Sequence, residues 1–118
     1  MFVSSLTYYF YIKTTDEVVE CDFDRWQELA KEHGTCQVVQ QDTFPLKCGN
    51  DVTVSTICLP FDHNDLGGYP RPLILETMTF SENKKYDCNQ RRDSTLEQAI
   101  QTHNDWIEEI KKEQDNES

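Results

Sequence analysis

Leu96, Ile100, His103, Ile107 and Ile110 recur at alternating intervals of four and three residues, and Ala99 and Trp106 widen the stripe they make. That spacing puts them on one face of an α-helix. Ser94-Thr95-Leu96-Glu97 has the pattern of a capping box, so a helix is predicted from there to about Lys112. Lys111 and Lys112 fall where cations suit the negative end of the helix dipole. Glu113 to Ser118 is polar and reads as a disordered acidic tail. A helix with one apolar stripe is not stable alone; it needs a face to pack on, and the rest of the chain must provide it.

That face is predicted to be a sheet. In Val52–Leu59, Val54, Thr56 and Cys58 oppose Thr53, Ser55, Ile57 and Leu59. In Pro72–Phe80, Ile74, Glu76, Met78 and Phe80 oppose Leu73, Leu75, Thr77 and Thr79. Leu6–Lys13, the polar turn Thr14–Glu17 and Val18–Cys21 predict a hairpin. A short helix follows from about Asp24 to His33, capped by Asp22 or Asp24, with Trp26, Leu29 and Ala30 inward and Gly34 as its stop. Cys36–Gln40 is a strand that gives out before Pro45, and Tyr86–Cys88 a short edge strand. The order β-β-α-β-β-β-α in 118 residues predicts one α+β domain over residues 1–112. Its expected form is an antiparallel sheet of about five strands with two helices packed on it.

Charge narrows the partners. Twenty-two Asp and Glu against eleven Lys and Arg give a net charge of -11. Such a field repels phosphate backbones, which argues against direct nucleic-acid binding, and it attracts basic surfaces. Two acidic groups stand out: Asp16, Glu17, Glu20, Asp22 and Asp24 near the hairpin, and Asp105, Glu108, Glu109, Glu113, Asp115 and Glu117 along the last helix and tail. Carboxylates on a rigid scaffold can imitate phosphates toward a basic groove; the plainer reading is a solvated face that confers solubility. Lys84, Lys85, Arg91 and Arg92 make a small basic patch interspersed with Asp87 and Asp93. Met1 to Phe10 has no basic n-region, and no stretch reaches the roughly 18 apolar residues of a membrane span. A cytosolic chain is therefore expected, with its five cysteines as thiols.

Val54-Ser55-Thr56-Ile57-Cys58-Leu59 leads to Asp62-His63, then Gly67-Gly68, and continues as Pro72-Leu73-Ile74-Leu75-Glu76-Thr77-Met78-Thr79-Phe80, with Ser94-Thr95 and His103 beyond. In these strings the chain resembles a family of small phage and prophage proteins, over the stretch from Val54 to His103. The resemblance implies an origin in a mobile element and brings no activity with it. The cysteines, Cys58 above all, and the irregular loop depart from that pattern.

Asp62, His63, Glu76 and His103 are a candidate polar cluster, able to bind a divalent metal or move a proton if the loop folds back. The alternative is that Glu76 braces the loop through a hydrogen bond, since a buried polar group needs a partner. Cys48, Cys58, His63 and Cys88 have the atoms for zinc but not the paired C-x-x-C spacing. No G-x-S-x-G, Walker loop or H-E-x-x-H is present, so neither a catalytic residue nor a cofactor is expected, with zinc as the alternative. The leading expectation is a phage-encoded acidic protein of the host cytoplasm, monomeric or homodimeric. It would inhibit a host defence nucleoprotein complex by occupying a basic nucleic-acid-binding surface, as an anti-CRISPR protein acts on a CRISPR effector. The alternatives are a small metal-binding protein or hydrolase built on the polar cluster, and a structural or regulatory phage accessory protein.

Overall fold

The computed structural model describes residues 7–62 and 72–116. The fold is α+β, with elements in the order β1 (Tyr8–Ile12), β2 (Glu17–Cys21), α1 (Phe23–His33), β3 (Val38–Pro45), β4 (Asp51–Cys58), β5 (Leu75–Ser81), β6 (Gln90–Asp93) and α2 (Leu96–Asn116). All strand pairs are antiparallel.

The strands form two sheets rather than the expected one: β1-β2, and β3-β4-β5-β6. The hairpin does not extend the larger sheet because a side chain occupies the edge of β1. The Gln37 amide accepts from Tyr11 N (2.7 Å) and donates to Tyr11 O (3.1 Å). Tyr9 N donates to Pro60 O at 2.8 Å. These bonds satisfy β1 where a neighbouring strand would otherwise be needed.

α1 packs on the hairpin. The Asp22 carboxylate accepts from Arg25 N at 2.8 Å, which makes Asp22 the cap and puts Asp24 in the first turn. The Trp26 ring meets Phe10 edge-on at 5.7 Å, and its indole donates to Tyr9 O at 3.1 Å. Gly34 ends the helix at φ 87°, a conformation that costs glycine little.

Several boundaries differ from expectation. β3 runs through Pro45, because β3 is an edge strand where a missing N–H is tolerated. The edge strand opposite is β6 and not Tyr86–Cys88. Cys88 takes a left-handed φ of 61°, Tyr86 is buried, and the Thr79 hydroxyl donates to Tyr86 O, so this segment is a turn that meets the β5 backbone where Cys88 N donates to Thr79 O at 3.0 Å. α2 begins one residue later than the sequence pattern, with Thr95 Oγ1 accepting from Gln98 N (3.1 Å) while the Gln98 side chain accepts from Ser94 N (3.2 Å).

α2 also continues past Lys112 to Asn116, so the expected tail is helical there and the lysines are not at its end. Residues 113 and 114 have partners to hold them. Gln114 accepts from Lys47 N at 2.7 Å and donates to the Tyr86 hydroxyl at 3.0 Å, and that hydroxyl donates to Glu113 at 2.9 Å.

Two apolar clusters lie beneath α2. One gathers Tyr11, Cys58, Ile74, Leu75 and Ala99 beside the hairpin. The other gathers Leu46, Val52, Val54, Tyr86 and Ile110 toward the far end of the helix. Set side by side they make an elongated molecule: the radius of gyration is 16.6 Å, against roughly 13–14 Å for a compact domain of this length.

The last turn of α2 contributes to stability. Gln114→Ala removes one buried and one part-buried hydrogen bond and is expected to lower unfolding free energy by about 1–3 kcal/mol in urea titration. A disordered tail would give no change.

Candidate functional site

β3, β4, β5 and α2 bring four polar side chains into one line. Strand alternation points Asp42, Thr56 and Thr77 to the face that α2 covers, and the helical stripe points His103 back at them. Asp42 Oδ2 lies 2.7 Å from His103 Nε2, His103 Nδ1 is 2.8 Å from Thr56 Oγ1, and Thr56 Oγ1 is 2.8 Å from Thr77 Oγ1. With Asp42 ionised, the ring donates from Nε2. A neutral ring then accepts at Nδ1 from Thr56, and Thr56 accepts from Thr77. Both the His103 bond and a bond from Gln40 hold the Asp42 carboxyl below the ordinary value of 3.8.

Carboxylate, imidazole and hydroxyl in that order are the parts of an acyl-transfer triad. Their access is reversed here. His103, Thr56 and Thr77 are all 0% exposed, while the Asp42 side chain is 47% exposed. A nucleophile must reach a substrate carbonyl, and this hydroxyl is sealed between sheet and helix. The line is a buried hydrogen-bonded brace.

The expected polar cluster is divided by the sheet. Glu76 precedes Thr77 and so projects from the face opposite His103. There its Oε2 accepts from Arg92 Nε at 2.9 Å and from the Gln90 side-chain amide, a cross-strand brace on β6 rather than on the loop. Asp62 sits by β1, where it joins burial and Glu20 in raising the Tyr9 phenol. His63 lies outside the described residues.

The cysteines are similarly apart. Cys48 lies in the turn before β4 and Cys58 at that strand's end, and the strand between them is roughly 23 Å long. Cys58 is buried against apolar neighbours, which push its thiol up to about 12 and away from the thiolate that zinc requires. Cys88 is exposed in the β5–β6 connection. Among the described residues no group of three or more His, Cys, Asp or Glu is arranged to hold a metal ion.

The hairpin carboxylates lie beside the start of α2. Asp16, Glu17 and Glu20 share a cleft of about 360 Å³ with Ser94, Thr95 and Leu96 at the start of α2. From there Glu97, Asp105, Glu108 and Glu109 follow the exposed side of a helix about 30 Å long. Asp16, Glu17, Glu20, Asp22, Asp24, Asp105, Glu108, Glu109 and Glu113 are all exposed. Among the described residues, only Glu113 of this set is in an ion pair, with Lys85 at 3.4 Å. Several cations are engaged elsewhere: Arg25 with Glu28, Arg91 with Asp93, Arg92 with Glu76, and Lys111 over the Phe44 ring.

Sequence reasoning missed Asp42 as the partner of His103. Its signal was the alternation of Gln40, Asp42 and Phe44, legible only if β3 is extended to Pro45.

No helix among the described residues is long and apolar enough to cross a membrane. No family model, no curated protein and no solved structure matches the chain.

Two substitutions test the braces. Folding depresses the Asp42 pKa, so its contribution is present above the unfolded value and is lost as pH falls through the lower, folded one. Asp42→Asn should therefore flatten the decline in stability below about pH 4 relative to wild type, followed by urea midpoints against pH. Glu76→Gln keeps an acceptor but loses charge assistance from Arg92 and should cost roughly 1–2 kcal/mol, without changing metal content by elemental analysis.

Proposed function

We propose that the protein is an acidic inhibitor from a mobile element that binds a basic, nucleic-acid-gripping surface of a host nucleoprotein complex, in the manner of an anti-CRISPR protein. What supports this most is the exposed anionic side just described, whose carboxylates, Glu113 apart, are free of ion pairs among the described residues. Asp16, Asp22 and Asp105 each accept one internal hydrogen bond, from Tyr11, Arg25 N and Gln101, but with no internal cation to release, the charge of the set remains available to a positive groove.

Rigidity adds to the effect. The hairpin carboxylates are anchored by the β1–β2 pairing and the Asp22 cap, and those of α2 by a helix clasped to the sheet over most of its length. Charges held on ordered elements lose little entropy when a partner docks. The molecule's own negative field disfavours contact with the nucleic acid itself, so it would compete for the protein that grips the strand. Its place of action on this reading is the host cytoplasm, where such complexes work.

Competition is measurable with purified CRISPR effector nucleoproteins and labelled target strand. Wild-type protein should block strand binding at low salt and lose potency steeply as salt rises. A variant with Asp16, Glu17, Glu20, Asp105 and Glu108 changed to their amides should keep the wild-type circular dichroism and be weaker by at least about tenfold. Full potency in that variant, or no competition at any salt, would reject the proposal.

A further inference from the structure

The face of α2 that turns toward the β5–β6 connection holds a groove of about 350 Å³. Tyr86, Trp106 and Ile110 line it on the apolar side, and Glu109 and Glu113 stand over it with Lys85. Trp106 is half-buried against the apolar cluster below, so its ring is held in place while part of it faces the groove.

The protein's own Lys85 shows what kind of group this setting accepts. Its ammonium lies 5.4 Å from the centre of the Tyr86 ring and 3.4 Å from Glu113 Oε2. That arrangement is a cation held between an aromatic face and a carboxylate. Trp106 and Glu109, three residues apart on α2, also bring an aromatic ring and a carboxylate to the lining of this groove, and no ion pair among the described residues involves Glu109.

We infer that this second half of the groove is a receptor for one arginine side chain of a partner protein, stacked on Trp106 and bonded to Glu109. The inference rests on the proposed function and names the feature of the basic surface that would be recognised. Arginine fits better than lysine, because its planar guanidinium stacks on an indole while its N–H fork reaches a carboxylate. Lysine is a compact, strongly hydrated charge and gains less from the ring.

The test uses the full chain and a blocked Gly-Arg-Gly peptide, with Gly-citrulline-Gly as the uncharged near-isostere and Gly-Lys-Gly as the point charge. Binding is followed by the two tryptophan indole N–H signals in NMR, assigned through Trp26→Phe. The arginine peptide should move the Trp106 signal saturably and leave Trp26 unmoved. Citrulline should not move Trp106, and lysine should bind several-fold more weakly. Glu109→Gln should weaken the arginine peptide about tenfold. Equal effects of the arginine and citrulline peptides, lysine binding as tightly as arginine, or no saturation would overturn the inference. If the arginine peptide fails while intact effectors are still blocked in a salt-sensitive way, the groove reading falls and the inhibitor reading stands. If the peptide binds as expected and no effector is blocked, the reverse holds.

Discussion

His103 holds the structure in register. The helix that carries it crosses two apolar clusters, and apolar contacts alone tolerate sliding and rotation. Between those clusters the imidazole reaches Asp42 on the edge strand and Thr56 on the central one, with Thr77 behind. A shift of one residue along α2 would swing the ring by about 100° and leave buried polar atoms with no partner. The Thr102 hydroxyl adds a second tie, donating to the buried Asp93 at 2.8 Å on the opposite edge strand. Helix and sheet are thus matched on β3, β4 and β6, and no buried side-chain nitrogen or oxygen among the described residues lacks a partner.

This brace separates interior from exterior. The hydroxyl and imidazole of this line are sealed, and carboxylates outnumber the cations left in solvent. The sheet edges are poor templates for further pairing: β3 carries a bulge between Val38 and Gln40 and ends in Pro45, and β6 has four residues including Arg91 and Arg92. On the proposed function, recognition falls to the exposed carboxylates of the hairpin and α2, together with the groove at Trp106.

Much of the fold was legible in the sequence because it rests on local periodicity. The stripe from Leu96 to Ile110 and the alternation in Val52–Leu59 each point to one element type, and Asp22 and Gly34 mark the ends of α1 by simple hydrogen-bonding and steric rules. What escaped depends on contacts between distant residues. Pro45 reads as a breaker until β3 is known to be an edge. Glu113 and Gln114 read as tail until Tyr86 and Lys47 reach them. The Gln37 amide that keeps the hairpin out of the larger sheet leaves no periodic trace.

The candidate site shows the same division. His103 was recognisable as a polar residue on an apolar stripe, yet its partner lies 61 residues away on a strand whose length was underestimated. Glu76 was recognisable as a carboxylate in an apolar strand, but which face it takes relative to His103 follows only from the register of β4 and β5. The exposed carboxylates needed no such knowledge, because their composition already implied a solvated surface.

A double-mutant cycle between His103 and Thr56 tests the brace most directly. His103→Leu leaves the Thr56 hydroxyl without its imidazole and Thr56→Val leaves His103 Nδ1 unpaired, whereas together they remove both atoms of that bond; the Thr77 hydroxyl loses Thr56 in the single Thr56→Val variant and in the double alike, so its cost cancels in the cycle. If the imidazole–hydroxyl line holds α2 in register, the double variant will be less destabilised than the sum of the singles by about 1 kcal/mol or more in urea unfolding. Additivity to within about 0.5 kcal/mol would contradict it.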